Sequence, residues 1–227
     1  MRRMSRRGML IGLGLAALGL GCGGANPFLA VQYMFSGGQT KSPAEYPLKP
    51  HAKNTDAKVV VFASSRMGIP PDLAGVDRML NAEVIRIMDA SIKENGEKVL
   101  VLKMPVIDKY KSENPNWRTV DPCDIGKHFG ADYVIDIEVQ AIDLYKPESR
   151  RQWLQGHAAV SINVYDLARP LKEPANKWDY TIEYPRGREE QIESPAQVSS
   201  FRERFIERIA SDIAVKFTAS TPQRRVD

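Results

Sequence analysis

Asp136 and Glu138 are the residues in this chain best spaced for acid–base chemistry. They stand two apart in a run that alternates apolar and polar residues, which puts both carboxyls on one face of a strand, about 7 Å apart. Carboxyl pairs at such separations serve as general acid and base in glycosidic hydrolysis. The same spacing also describes the wet face of an ordinary antiparallel strand, and that is the reading preferred here. Gln140 continues the row, so Asp136, Glu138 and Gln140 form a polar face on which a partner could dock. Other chemistry-bearing residues are scattered. His51, His128 and His157 show no HxxxH, HExxH or CxxC spacing, so no metal is expected. Ser64 and Ser65 lack the glycine-flanked elbow of a nucleophile, and Gly68 and Gly75 build no phosphate loop. Cys123 lies between Asp121 and Asp124, which oppose thiolate formation, so it reads as a packed residue. No catalytic residue and no cofactor are expected.

The other cysteine, Cys22, takes its meaning from what precedes it. Arg2, Arg3, Arg6 and Arg7 form a basic start, and Met9 to Gly21 carries no charge. A helix of that length falls well short of a bilayer core of roughly 30 Å, so the segment reads as an export signal. The arginine-rich start fits a general secretory signal somewhat better than a twin-arginine one. All of the acidic residues lie beyond residue 21, while four of the 32 basic ones lie before it. The net charge of +4 therefore belongs to the signal, the rest is formally neutral, and no basic stripe for nucleic acid remains. Cys123 alone cannot form an internal disulfide, so the exported part must hold together through its core.

The elements that position these residues follow from periodicity. Residues 36–57, with prolines at 43, 47 and 50, read as a flexible tether after Cys22, so the expected organisation is signal 1–21, anchor and tether 22–57, domain 58–218 and frayed tail 219–227. Lys58 to Ala63 is a continuous apolar run, which suits a strand covered on both faces. A helix is expected over Leu73 to Glu94, capped by Asp72 and stopped by Asn95-Gly96. Lys98 to Met104 then completes a β-α-β unit with parallel strands. Residues 105–120 read as irregular or briefly helical, and Asp121-Pro122 opens a short helix that ends at Gly130. Tyr133 to Ala141 alternates, then shifts phase at Ile142 and Leu144, which predicts a bulge. With the alternating runs Ala158–Val164 and Trp178–Tyr184 it makes a three-strand antiparallel meander. Ser194-Pro195 starts a long helix whose stripe is Phe201, Phe205, Ile209 and Ile213. Tyr110, Trp117 and Trp153 read as anchors packing their loops on the core. The fold class is thus α/β (α+β): a single mixed sheet with a β-α-β start, an antiparallel meander and a long C-terminal helix packed on it.

Gly19-Leu20-Gly21-Cys22 resembles the lipobox of bacterial lipoproteins, in which the cysteine is acylated and becomes the mature N-terminus. The passage Asp124 to Glu138 (DIGKHFGADYVIDIE) resembles the helix-then-strand segment of envelope lipoproteins built like the curli secretion lipoprotein. Lipoprotein activators of penicillin-binding proteins and the N-terminal domain of the Tol-system β-propeller protein are similar in this respect. The resemblance spans about residues 57–218. It implies a lipid-anchored domain in the cell envelope, on the outer or inner membrane and facing the periplasm. Its partners would be the bilayer, through Cys22, and another envelope protein. Two departures limit what it carries over. The family's Asp-x-x-Thr-Gly turn is replaced after Asp166 by Leu-Ala-Arg-Pro, and loops 145–156 and 167–176 are too short and polar for membrane hairpins. The expected function is a non-catalytic adapter or assembly factor; the alternative is a cell-wall or glycan-processing enzyme using Asp136 and Glu138.

Overall fold

The computed structural model describes residues 41–220, apart from 54, 67, 170 and 171. The export signal, Cys22, the first part of the tether and the last residues of the tail lie outside the described residues. Among the described residues no helix is long and apolar enough to cross a membrane.

One mixed sheet organises the domain. Strand β1 (Ala57–Ser65) lies between β2 (Val99–Val101) and β3 (Tyr133–Tyr145), parallel to both. Strands β4 (Trp153–Asp166) and β5 (Asn176–Tyr184) follow β3 antiparallel, giving the order β2-β1-β3-β4-β5, and the short β6 (Glu190–Gln191) pairs with the start of β4. Helix α1 (Val76–Asn95) and helix α4 (Pro195–Ala214) share one face. Helices α2 (Met104–Glu113) and α3 (Pro122–Phe129) cross the other face over β1 and β3, where Phe62 meets the rings of Tyr110, Trp117 and Phe129. Val59 to Ala63 are all buried, as a strand covered on both sides requires.

Local chemistry explains the boundaries. Gly96 takes a left-handed conformation (φ 63°), and the Glu97 N–H donates back to the Ile92 carbonyl at 3.0 Å, closing α1. Asp121 accepts from the Cys123 N–H at 2.8 Å with Pro122 next, and Gly130 (φ 58°) stops α3. Ser194 accepts from the Gln197 N–H at 3.3 Å ahead of Pro195. Phe201, Phe205, Ile209, Ile213 and Phe217 are buried against the sheet. The predicted bulge is present: the β3–β4 register shifts between Val139 and Ala141.

Three expectations change. Asp72 does not cap α1. It sits in a 3-10 turn, α1 starts after Gly75, and the Asp72 carboxylate instead accepts from the Tyr145 hydroxyl at 3.0 Å and pairs with Arg151. Tyr110 belongs to a regular helix rather than an irregular loop, because Ile107 and Tyr110 share one buried side. Residues 42–51, expected within the flexible tether, lie against the domain. Ser42 and Ser220 exchange backbone hydrogen bonds, Leu48 is buried, and the Tyr133 hydroxyl donates to the Lys49 carbonyl at 2.9 Å. His51 completes this strap, with its ring nitrogens 3.1 and 3.0 Å from Asp132 and Asp166. Prolines favour extended chain but do not prevent it from packing.

Candidate functional site

The sheet face opposite α1 and α4 is only half covered. Its exposed part reads directly from the register, because side chains opposite one another across strands share a face. Phe62, Asp136, Asn163 and Lys177 form one row across β1, β3, β4 and β5. Ser64, Glu138, Ser161 and Asp179 form the next. Beyond the bulge come Ala141, Ala159 and Thr181, then Asp143, His157 and Glu183.

Lys177 and Asp179, at the β5 end of the first two rows, are exposed, while the β1 and β3 members lie beside α2 and α3. There Asp136 and Glu138 line a cavity of about 270 Å³ with Phe62, Trp117, Ile125 and Val134. Asp136 is therefore not on a wet face. Burial pushes its carboxyl pKa up, the charge of Glu138 pushes it further, and the neighbouring Asn163 amide offsets part of the rise. Glu138 is gripped at two points by Arg66, at 2.8 and 3.3 Å. Lys111 lies behind Trp117, with its ammonium 4.2 Å from the Trp117 ring centre and donating to the Ala63 carbonyl at 3.2 Å. Burial lowers the Lys111 pKa, against the attraction of Asp77. Asp136 and Glu138 thus share a cavity, as their spacing implies, and both are half-buried beside the helices rather than standing on an open strand face.

Gln140 is separated from them. The bulge sends it to a second, open groove of about 720 Å³, floored by Ala141, Ala159 and Thr181. Its position follows from topology. The chain runs from β1 out to β2, then returns across the sheet to β3 on the other side of β1. Sheets wound this way leave a crevice outside the C-terminal ends of the two strands that flank the reversal. Those ends here are the loop through Gly68, Ile69 and Pro70 after β1, and residues 140–143 of β3, and all of them line the groove. The floor is shallow because its side chains are short.

Charge is concentrated at the groove's outer row. Asp143 accepts from the Tyr145 N–H at 3.0 Å, and Glu183 accepts from Gln155 at 2.7 Å and from the Gly187 N–H at 3.1 Å. Those donors are neutral, so both carboxylates face the groove without a cation bound to them among the described residues. His157 stands between them in register, and its Nε2 is buried with no hydrogen-bond partner among the described residues. Arg186, just after β5, also lines the groove. The alternation of β3 pointed to Gln140; the phase shift at Ile142 also places Asp143 on the open face. Thr181, Glu183 and Arg186 carried no signal of their own, because only the strand order brings β5 beside the reversal.

Among the described residues no cluster of three or more His, Cys, Asp or Glu side chains could hold a metal ion. Cys123 is buried in α3, and its thiol pKa is raised by burial and by Asp121, which suits a packing role. The expected lipidation site, Cys22, lies outside the described residues.

No family model and no curated protein matches the chain. Several solved structures resemble it distantly. Lipoprotein GNA1162 of Neisseria meningitidis is 13% identical, with 68% of this chain and 99% of that one covered and a TM-score of 0.42. Protein XCC0632 of Xanthomonas campestris is 11% identical, with 78% and 90% covered and a TM-score of 0.43. A minor lipoprotein of Acinetobacter baumannii is 12% identical, with 73% and 96% covered and a TM-score of 0.35.

Proposed function

We propose that this chain is a lipid-anchored envelope protein that acts without catalysis, holding a polar segment of another envelope protein in the groove at the ends of β1 and β3. The observation that carries the reading is the groove itself: an uncovered sheet face at the reversal point, floored by alanines and threonine, with Asp143 and Glu183 free to receive cationic groups. The proposed anchor is Cys22, behind its basic and apolar signal. The groove also points away from the chain's entry to the domain. Ser42 is bridged to Ser220 after α4, at the end of the sheet where β3 begins, whereas the groove lies where β3 ends.

The cavity at Asp136 supports a second reading. A carboxyl that tends to keep its proton, beside a second carboxylate, is the division of roles that acid–base hydrolysis uses. One experiment separates the two. Ala159→Arg fills the groove floor, and Asp136→Asn with Glu138→Gln removes both cavity charges. Each is expressed in a deletion strain, with a photo-crosslinking residue at Thr181 to report partner capture. Under the adapter reading Ala159→Arg loses complementation and crosslink while its melting temperature holds, and the amide variant complements. Loss of function in the amide variant, with the crosslink retained, supports the enzyme reading and ends the adapter one. Cys22→Ser should in addition abolish acyl labelling and release the protein from membranes.

A further inference from the structure

We infer that two copies of this chain join through β5, edge to edge about a two-fold axis at Tyr180. The outer edge of β5 pairs with no strand among the described residues, and its nine residues run without a bulge. Such an edge offers a row of free backbone donors and acceptors. What identifies the occupant is the side-chain pattern. An antiparallel pairing of β5 with itself, centred on Tyr180, overlaps the full strand. On the open face it sets Lys177 of each copy against Glu183 of the other, and Asp179 against Thr181. On the face toward α4 it sets Trp178 against Ile182. Lys177, Asp179, Thr181 and Glu183 are all exposed, while Trp178 and Ile182 are half-buried, so like faces meet like.

Neighbouring registers fail. Centring on Asp179 places two aspartates in direct opposition. Centring on Thr181 opposes Asp179 to Glu183 twice, and like charges across strands repel. A slip by half a step pairs exposed residues with the α4 face. Only the Tyr180-centred register pairs all nine residues with no like-charge contact. Lys177 now bonds Asp179 of its own strand at 3.0 Å, and more than half of each side chain is exposed, so Lys177 can turn to a facing carboxylate. The joined sheets also merge the two open faces. The row of Asp143, His157 and Glu183 continues into the second copy's Lys177 and Asn163, so each groove gains a neighbour from the other copy.

The test is a charge swap in the full-length protein purified in detergent, with association followed by sedimentation. The wild type should dimerise below about 0.5 mM. Lys177→Glu and Glu183→Lys should each weaken the dimer by on the order of tenfold or more, since each creates two like-charge contacts. Mixing the two variants should restore wild-type affinity, because both contacts in the mixed dimer are then complementary. That rescue also shows that both variants are folded. A wild type that stays monomeric at that concentration, single variants that associate as the wild type does, or a mixture no tighter than its components overturns the proposal.

Discussion

Gly156 and Phe205 give the sharpest test of how α4 seats on the sheet. A Cβ at Gly156 would lie 2.8 Å from three ring atoms of Phe205. Ordinary contacts begin near 3.4 Å, so the ring must yield by about 0.6 Å. It has little room to do so. Phe205 is fully buried, stacked against Tyr184 at 6.1 Å and beside Phe201 at 6.3 Å. Gly156→Ala should therefore cost about 1–3 kcal/mol by overpacking. Phe205→Ala should cost about 3–5 kcal/mol through lost burial and the cavity left behind. The two are coupled. Once the ring is gone the added methyl loses its three nearest neighbours and fills part of the hole, so the double variant should be no less stable than Phe205→Ala alone. Independent sites would instead sum to about 4–8 kcal/mol. Urea unfolding of the four proteins measures this, with constant m-values confirming two-state behaviour. A double variant within about 0.5 kcal/mol of the sum would mean that the α4 ring does not press on β4, and the packing described for this face would be wrong.

Asp136→Asn should raise the melting temperature at neutral pH and leave it unchanged near pH 3. An acid whose folded pKa lies above its ordinary 3.8 favours the folded state when protonated, so its contribution is full below that value and fades as pH rises through the folded pKa. A parallel pH profile for wild type and variant would show that Asp136 is not desolvated. Asp121→Ala should destabilise by about 0.5–2 kcal/mol through the lost cap on Cys123, with Asp121→Asn restoring most of it; equal loss in both variants would assign the effect to Lys172 pairing instead.

The strands, the antiparallel meander and the two long helices were legible because each buries a continuous or periodic apolar set that a window of residues can show: Val59 to Ala63, Leu80 to Ile92, Phe201 to Ile213; the parallel pairing of β1 with β3, which joins the two halves of the sheet, was not. The bulge was legible because a phase shift is local. The environment of Asp136 was not. Alternation says that Asp136 and Ile137 point to opposite faces, but not which elements cover the polar one. That depends on Tyr110, Trp117 and Phe129 arriving over Phe62 from residues 104–129, where the sequence reads as loop and short helix. The site was misjudged where a long-range crossing decided it, and the strap at 42–51 was missed for the same reason.

The two polar surfaces on β3 differ in what they can do because of a single inserted residue. Before the bulge, Asp136 and Glu138 are half-buried in the cavity beside α3, and Arg66 and Asn163 stand beside them. After the bulge the strand's alternation is reset, Ala141 and Asp143 take the open face, and no helix follows them. Short side chains let another backbone approach the sheet, while Asp143 and Glu183 offer charge that no cation of the described chain takes up. The bulge therefore converts one polar strand face into a structural half and an available half, and Gln140 sits at the junction. Binding that depends on this surface should respond to changes at Ala159 and Thr181 and be indifferent to Asp136, the reverse of what the alternation alone implied.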